Sequence, residues 1–174
     1  MTQSIGTFPA GVRSIAWRSA VAAGLIGGVA YLLMQALWTP LRTGENLWTW
    51  VHTSGAIVLG SGALQARDTF DLPVLIVALL VHFALALAYG AVLAVLLTRG
   101  DTAALRWRLA PTTAAGALFG LALYALNYYV FTLWFPWFAE LRHGVTIFNN
   151  VVFGAATAFA YAQLVRARGA SARR

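Results

Sequence analysis

Three histidines, five carboxylic acids and no cysteine are the whole stock from which this chain of 174 residues could assemble acid–base, metal or thiol chemistry. Of these groups only His82 falls inside a long apolar stretch. His52 and His143 lie between such stretches, as do Glu45, Asp68, Asp71, Asp101 and Glu140. Without a thiol there is no disulfide, thiolate metal site or cysteine nucleophile. Glu140 and His143 form one Glu-x-x-His pair. A di-iron bundle uses two such pairs with further glutamates, so a solvated turn is the simpler reading. A haem held by two histidines needs a second one at the depth of His82, and the sequence offers none. Nucleophile elbows, phosphate-cradling glycine loops and His-Glu-x-x-His have no usable match. The expectation is a protein with no catalytic residue, no metal ligand and no cofactor.

The company His82 keeps is polar and uncharged. Gln35, Asn127, Asn149 and Asn150 are amides set in apolar surroundings, and Tyr128 follows Asn127, with Tyr124 and Tyr129 close in depth. Two uses are open to such a cluster. Amides hydrogen-bond across membrane helices, each worth about 0.6 kcal/mol, and His82 can donate to a neighbouring carbonyl. Alternatively the same groups line an outward-facing cavity that ends at His82. An ionisable side chain at membrane depth is a functional candidate by default, and histidine titrates near neutrality. No Asp, Glu or Arg lies in the apolar stretches. That weighs against proton-coupled exporters, which commonly need an intramembrane acid.

The elements that must carry these groups follow from charge spacing. Residues are 60% hydrophobic and 10% charged, against about 25% charged in soluble domains. No charge occurs between Arg18 and Arg42, Asp71 and Arg99, Arg108 and Glu140, or Arg142 and Arg166. Crossing ~30 Å of hydrocarbon takes about 20 helical residues. The fold class is therefore all-α, a four-helix transmembrane bundle in one domain, with spans near 20–38, 72–97, 112–135 and 145–165. At 1.5 Å per residue from Leu72, His82 lies about 15 Å into the second span, near the midplane. Asp71 caps that span and Pro73 sits in its first turn. Pro111 opens the third span and Pro136 ends it. Arg13 and Arg18 precede the first span as in a signal peptide. Trp38-Thr-Pro-Leu-Arg42 follows it in place of a small-residue cleavage site, so an uncleaved helix is expected.

Arginine places the ends. Nine of the twelve basic residues, all arginine, lie in the N-terminal segment, the middle loop and the C-terminal tail; only Arg42, Arg67 and Arg142 lie on the other side. The positive-inside rule then puts both termini in the cytoplasm of a bacterial cell, in its inner membrane. Trp38, Trp48, Trp50, Trp134 and Trp137 mark the outer headgroup level. The net charge of +7 is topology signal and lipid contact rather than a nucleic-acid surface, since no basic helix or aromatic-basic motif accompanies it. The outer loop 39–71 is half apolar in its middle. It predicts a short helix at the interface or partly re-entrant, serving as a connector or as a lid over an outward-facing pocket.

Two patterns tie the spans together. Ala22-Ala-Gly24 with Gly28 and Gln35 recurs as Ala114-Ala-Gly116 with Gly120 and Asn127. Ala86-Leu-Ala88-Tyr89 recurs as Ala158-Phe-Ala160-Tyr161. This is the signature of a 2+2 internal repeat whose halves run in the same direction. Gly24, Gly28, Gly116 and Gly120 form small-xxx-small faces that let helices approach, within one chain or between two.

The stretches Thr69-Phe-Asp71-Leu-Pro73, Val81-His82-Phe83 and Ala88-Tyr89-Gly90, with Asn127-Tyr-Tyr-Val-Phe-Thr and Phe135-Pro136-Trp137-Phe138, resemble small bacterial inner-membrane proteins with four predicted spans. The resemblance covers about the last two thirds of the chain. It implies the fold but no activity, and it points to His82, Asn127 and Phe135-Pro136-Trp137. Function is then expected in one of three forms. The first is a non-enzymatic accessory subunit with a membrane-protein partner or a second copy. The second is a small transporter or ligand-binding protein whose cavity ends at His82. The third, an intramembrane enzyme acting on a lipid or quinone, has only one acid–base group within the spans to work with.

Overall fold

The computed structural model describes residues 15–99 and 108–171, and every regular element among them is helical. Four helices are long and apolar enough to cross a membrane. They are α1 (Trp17–Thr43), α3 (Leu72–Arg99), α4 (Leu109–Leu133) and α5 (Gly144–Ser171). Between α1 and α3 lies α2 (Leu47–Leu59), followed by a 3-10 segment, Ser61–Ala66. A second 3-10 segment, Pro136–Leu141, joins α4 to α5. Arg13, Arg106, Arg173 and Arg174 lie outside the described residues.

Each expected span falls on one of the long helices, with ends that shift for local reasons. The first runs on past Trp38, through a π-helical turn at Met34–Trp38 that precedes Pro40; Gly44, at φ 73°, then ends the helix. Asp71 Oδ1 accepts from the Val74 amide at 3.1 Å and starts α3 as its type predicts. The third span stops two residues early, at Leu133, and Pro136 begins the 3-10 segment rather than closing the helix. Loop 39–71 does hold a short helix, α2, whose N-cap Asn46 accepts from the Trp48 amide at 3.0 Å.

The distribution of residue sizes inverts that of a soluble bundle. Ala20, Ala23, Ala78 and Ala158 are fully buried, together with Ser19 and Thr157. Leu37, Leu80, Leu118 and Leu133 are 61–76% exposed. Water would penalise that surface at about 25 cal/mol per Å², whereas lipid tails do not. Association must then come from close packing, and glycine supplies it. A Cβ on Gly24 would lie 2.8 Å from the Ala86 carbonyl oxygen, so α1 and α3 touch through backbone. On α4 and α5, a Cβ on Gly120 would collide with the Asn150 carbonyl, and one on Gly154 would come within 2.9 Å of Gly120 Cα.

The long helices pack in the order α4, α5, α1, α3, and the ring is left unclosed: α3 and α4 barely touch. At the α1–α5 seam Gly27 meets Thr157 and the Phe153 carbonyl. The step along the chain that carries Gly24 to Gly116 carries Gly27 to Phe119, and the step from Ala86 to Ala158 relates Leu85 to Thr157. Large residues thus stand at α3–α4 where small ones close α1–α5. Both α1 and α4 also break into a π-helical turn, Met34–Trp38 in α1 and Leu126–Val130 in α4, at positions related by that same step. Each turn carries an amide at its second residue, Gln35 and Asn127.

Candidate functional site

Polar residues predicted from the sequence separate into two groups. Gln35 and Asn149 belong to the α1–α5 seam. Asn149 Nδ2 donates to Gln35 Oε1 at 3.0 Å and to Thr39 Oγ1 at 2.9 Å, and all three side chains are buried. This is interhelical adhesion of the kind amides supply in membranes. One acceptor in it, Asn149 Oδ1, has no hydrogen-bond partner among the described residues.

His82, Asn127, Tyr128 and Asn150 come together elsewhere, around a cavity of about 90 Å³ between the middle of α3 and the C-terminal half of α4. Helix α3 contributes Val81, His82, Leu85, Ala86 and Tyr89; α4 contributes Leu123, Asn127, Tyr128 and Phe131. Tyr31 backs it from α1, and Asn150 with Phe153 from α5. The lining continues along α3 past His82 to Tyr89, so His82 stands in the wall rather than at the end. Among the described residues no charged side chain lines it.

The imidazole is held tightly. His82 Nε2 lies 3.0 Å from the Gly28 carbonyl oxygen. A carbonyl only accepts, so Nε2 carries the proton and, in the neutral ring, Nδ1 is an acceptor. Glycine at 28 suits the close approach of α1 to α3 here, since a Cβ would sit 3.0 Å from the Ala86 Cβ and 3.3 Å from the Phe83 ring. Three aromatic rings surround the imidazole, those of Tyr31, Trp50 and Phe83, with centroids at 5.5, 5.6 and 5.2 Å. Across the cavity Tyr89 donates its hydroxyl hydrogen to Asn127 Oδ1 at 2.6 Å, a bridge between two helices that otherwise scarcely meet. The Tyr31 and Tyr128 hydroxyls are 3.3 Å apart.

A cap closes the same end of the bundle. Trp50, Ser54 and Ile57 of α2 and Phe135 and Phe138 of the second connection complete the lining. Several contacts fasten the two pieces. Trp137 donates its indole N–H to the Thr53 carbonyl at 3.2 Å, Arg67 pairs with Glu140 at 2.6 Å, and His143 lies 3.7 Å from Glu45. Arg142 donates to the Tyr128 carbonyl at 2.6 Å, satisfying an acceptor exposed where α4 unwinds, and covers the Tyr129 ring. Glu140 and His143, three residues apart, therefore engage different partners and do not converge on a common centre.

Sequence reasoning missed the keystone of the cap. His52 is 1% exposed, with Nδ1 2.6 Å from the Ala63 carbonyl and Nε2 3.0 Å from the Thr69 carbonyl. It pins the return segment 61–70 onto α2. Its position between apolar runs made it look like a loop residue; the only available signal was its setting within the apolar, Ser- and Gly-rich stretch 47–64. Tyr31 was missed, Tyr89 was read only as part of the repeat, and Trp50, expected at the outer headgroup level, is instead buried beside His82.

No protein-family model, curated protein or solved structure matches the chain.

Proposed function

We propose that the chain is a multi-pass protein of the bacterial inner membrane, both termini cytoplasmic, that holds a small neutral ligand in the capped cavity, as a ligand-binding protein or small transporter. The observation that carries this reading is the convergence of His82, Asn127, Tyr128 and Asn150 on one cavity beneath a fastened cap. Interhelical adhesion alone does not need a space there, and Gln35 and Asn149 provide adhesion without one. The arginine asymmetry supports the orientation, which turns the cap outward. Matching π-helical turns and glycine contacts support descent of the two helix pairs from one repeated pair, with the cap as the part that differs. An accessory-subunit role gains less support. Gly24, Gly28, Gly116 and Gly120, the faces that would have met a partner, are used inside the chain.

Native mass spectrometry of protein extracted gently from its own membrane tests the proposal. A reproducible bound small molecule is expected, lost in His82→Phe while the melting temperature changes little. Phenylalanine keeps the aromatic packing and removes both ring nitrogens. Stoichiometric recovery of a larger membrane protein with an empty cavity would instead establish the accessory role.

A further inference from the structure

Resting on the ligand-site reading, we infer that the ligand is a neutral, hydroxyl-bearing amphiphile of the bilayer that comes in sideways through the α3–α4 seam, head first, leaving its tail in the lipid.

Four observations lead there. First, the seam is the one side of the bundle left unpacked, and the cavity lies along it; α1 and α5 back it, and the cap covers its outer end. Second, the lining is mostly apolar and, among the described residues, without charge, which selects a neutral head. Third, the hydrogen-bonding capacity left over is specific. Asn127 Oδ1 is taken by Tyr89, and Nδ2 has no partner among the described residues, leaving donors. His82 Nε2 is taken by Gly28, and Nδ1 is left as an acceptor. A hydroxyl both donates and accepts, so an alcohol head can pair with either group, whereas a ketone or ester can pair only with Asn127. Fourth, the volume is that of a head and not of a whole amphiphile: an apolar cavity of about 150 Å³ takes a benzene-sized molecule, and this one is about 90 Å³. Whatever tail accompanies the head must extend out through the open side, past Leu85 and Phe131.

The test uses the full chain in phosphatidylcholine nanodiscs with a long-chain primary alcohol carrying a diazirine on its tail. After photolysis, labelled peptides are identified by mass spectrometry. Labelling is expected on α3 and α4 around Leu85 and Phe131. Unlabelled alcohol should compete it away, and alkyl sulfate or alkyltrimethylammonium of equal length should compete at least about tenfold less well. Asn127→Leu should weaken labelling about tenfold, as loss of a buried hydrogen bond does. Leu85→Trp, which fills the seam and leaves the polar groups alone, should weaken it too and guards against a folding defect in the first variant. Equal labelling of the lipid-facing α1 residues Leu25, Val29 and Leu33 would reveal ordinary annular lipid and overturn the inference. If a water-soluble molecule is found in native spectra and lost in His82→Phe while the seam stays unlabelled, the cavity reading survives and lateral access falls. If the seam is labelled but His82→Phe and Asn127→Leu change nothing, the head does not reach the cavity and both fall.

Discussion

At the scale of single residues, the three histidines divide by what their nitrogens touch. His82 has one nitrogen committed to Gly28 and one free for the cavity; His52 has both turned to carbonyl oxygens inside the cap. Replacing His52 with alanine removes a fully buried ring together with its contacts to the Ala63 and Thr69 carbonyls and should cost about 1–3 kcal/mol. The cost should be local: deuterium uptake rises across residues 61–70, while α4 and α5 exchange as before. His82 was legible from the sequence because a lone ionisable group in an apolar run stands out. Asn127, Tyr128 and Asn150 were legible as polar groups at a shared depth. Depth, however, is a one-dimensional coordinate. Which face of a helix a residue occupies depends on the π-helical turns, which shift the angular phase of everything after Met34 and Leu126. That is why Gln35, at similar depth, was grouped with residues it does not meet; on α5 the neighbours Asn149 and Asn150 simply face different ways, Asn149 toward Gln35 and Asn150 toward the cavity.

At the scale of elements, the four spans were almost fully readable, because charge exclusion from hydrocarbon is a strong signal that depends on no tertiary detail. Glycine faces were readable as faces but not as partners. Gly120→Ala places a methyl group against the Asn150 carbonyl, and the overpacking should destabilise the α4–α5 contact by about 1–3 kcal/mol. Gly62→Ala, with nothing within 4 Å of the new Cβ, should change stability by no more than about 0.5 kcal/mol. Thermal denaturation of both variants in one detergent separates the two. The cap was half legible. Its helix α2 was expected, but its attachment depends on Trp137, Arg67 and His52 finding partners far away in sequence, and no local pattern encodes that.

At the scale of the whole molecule, the cap is fastened by contacts of unequal worth. Arg67 and Glu140 are 38% and 60% exposed, so their pair is worth at most about 1 kcal/mol, and Arg67→Ala should shift the melting temperature little. Trp137→Phe removes the donor to Thr53 and should release the cap further, read as faster exchange in α2 than in the Arg67 variant. Orientation has its own test, which the absence of cysteine makes clean. In spheroplasts, Ser61→Cys should react with a membrane-impermeant maleimide, and Ser4→Cys should react only after lysis. The unclosed ring has a mechanical corollary. Packed closely along α1–α5, where Gly27 meets Thr157, and nearly untouched along α3–α4, the bundle is hinged like a book, with its spine on one side and its leaves parted on the other. With helix axes about 9 Å apart, a turn of about 10° about the spine displaces the far leaves by about 1.6 Å. Lateral pressure from the surrounding lipid therefore meets its least resistance in the motion that widens or narrows the cavity.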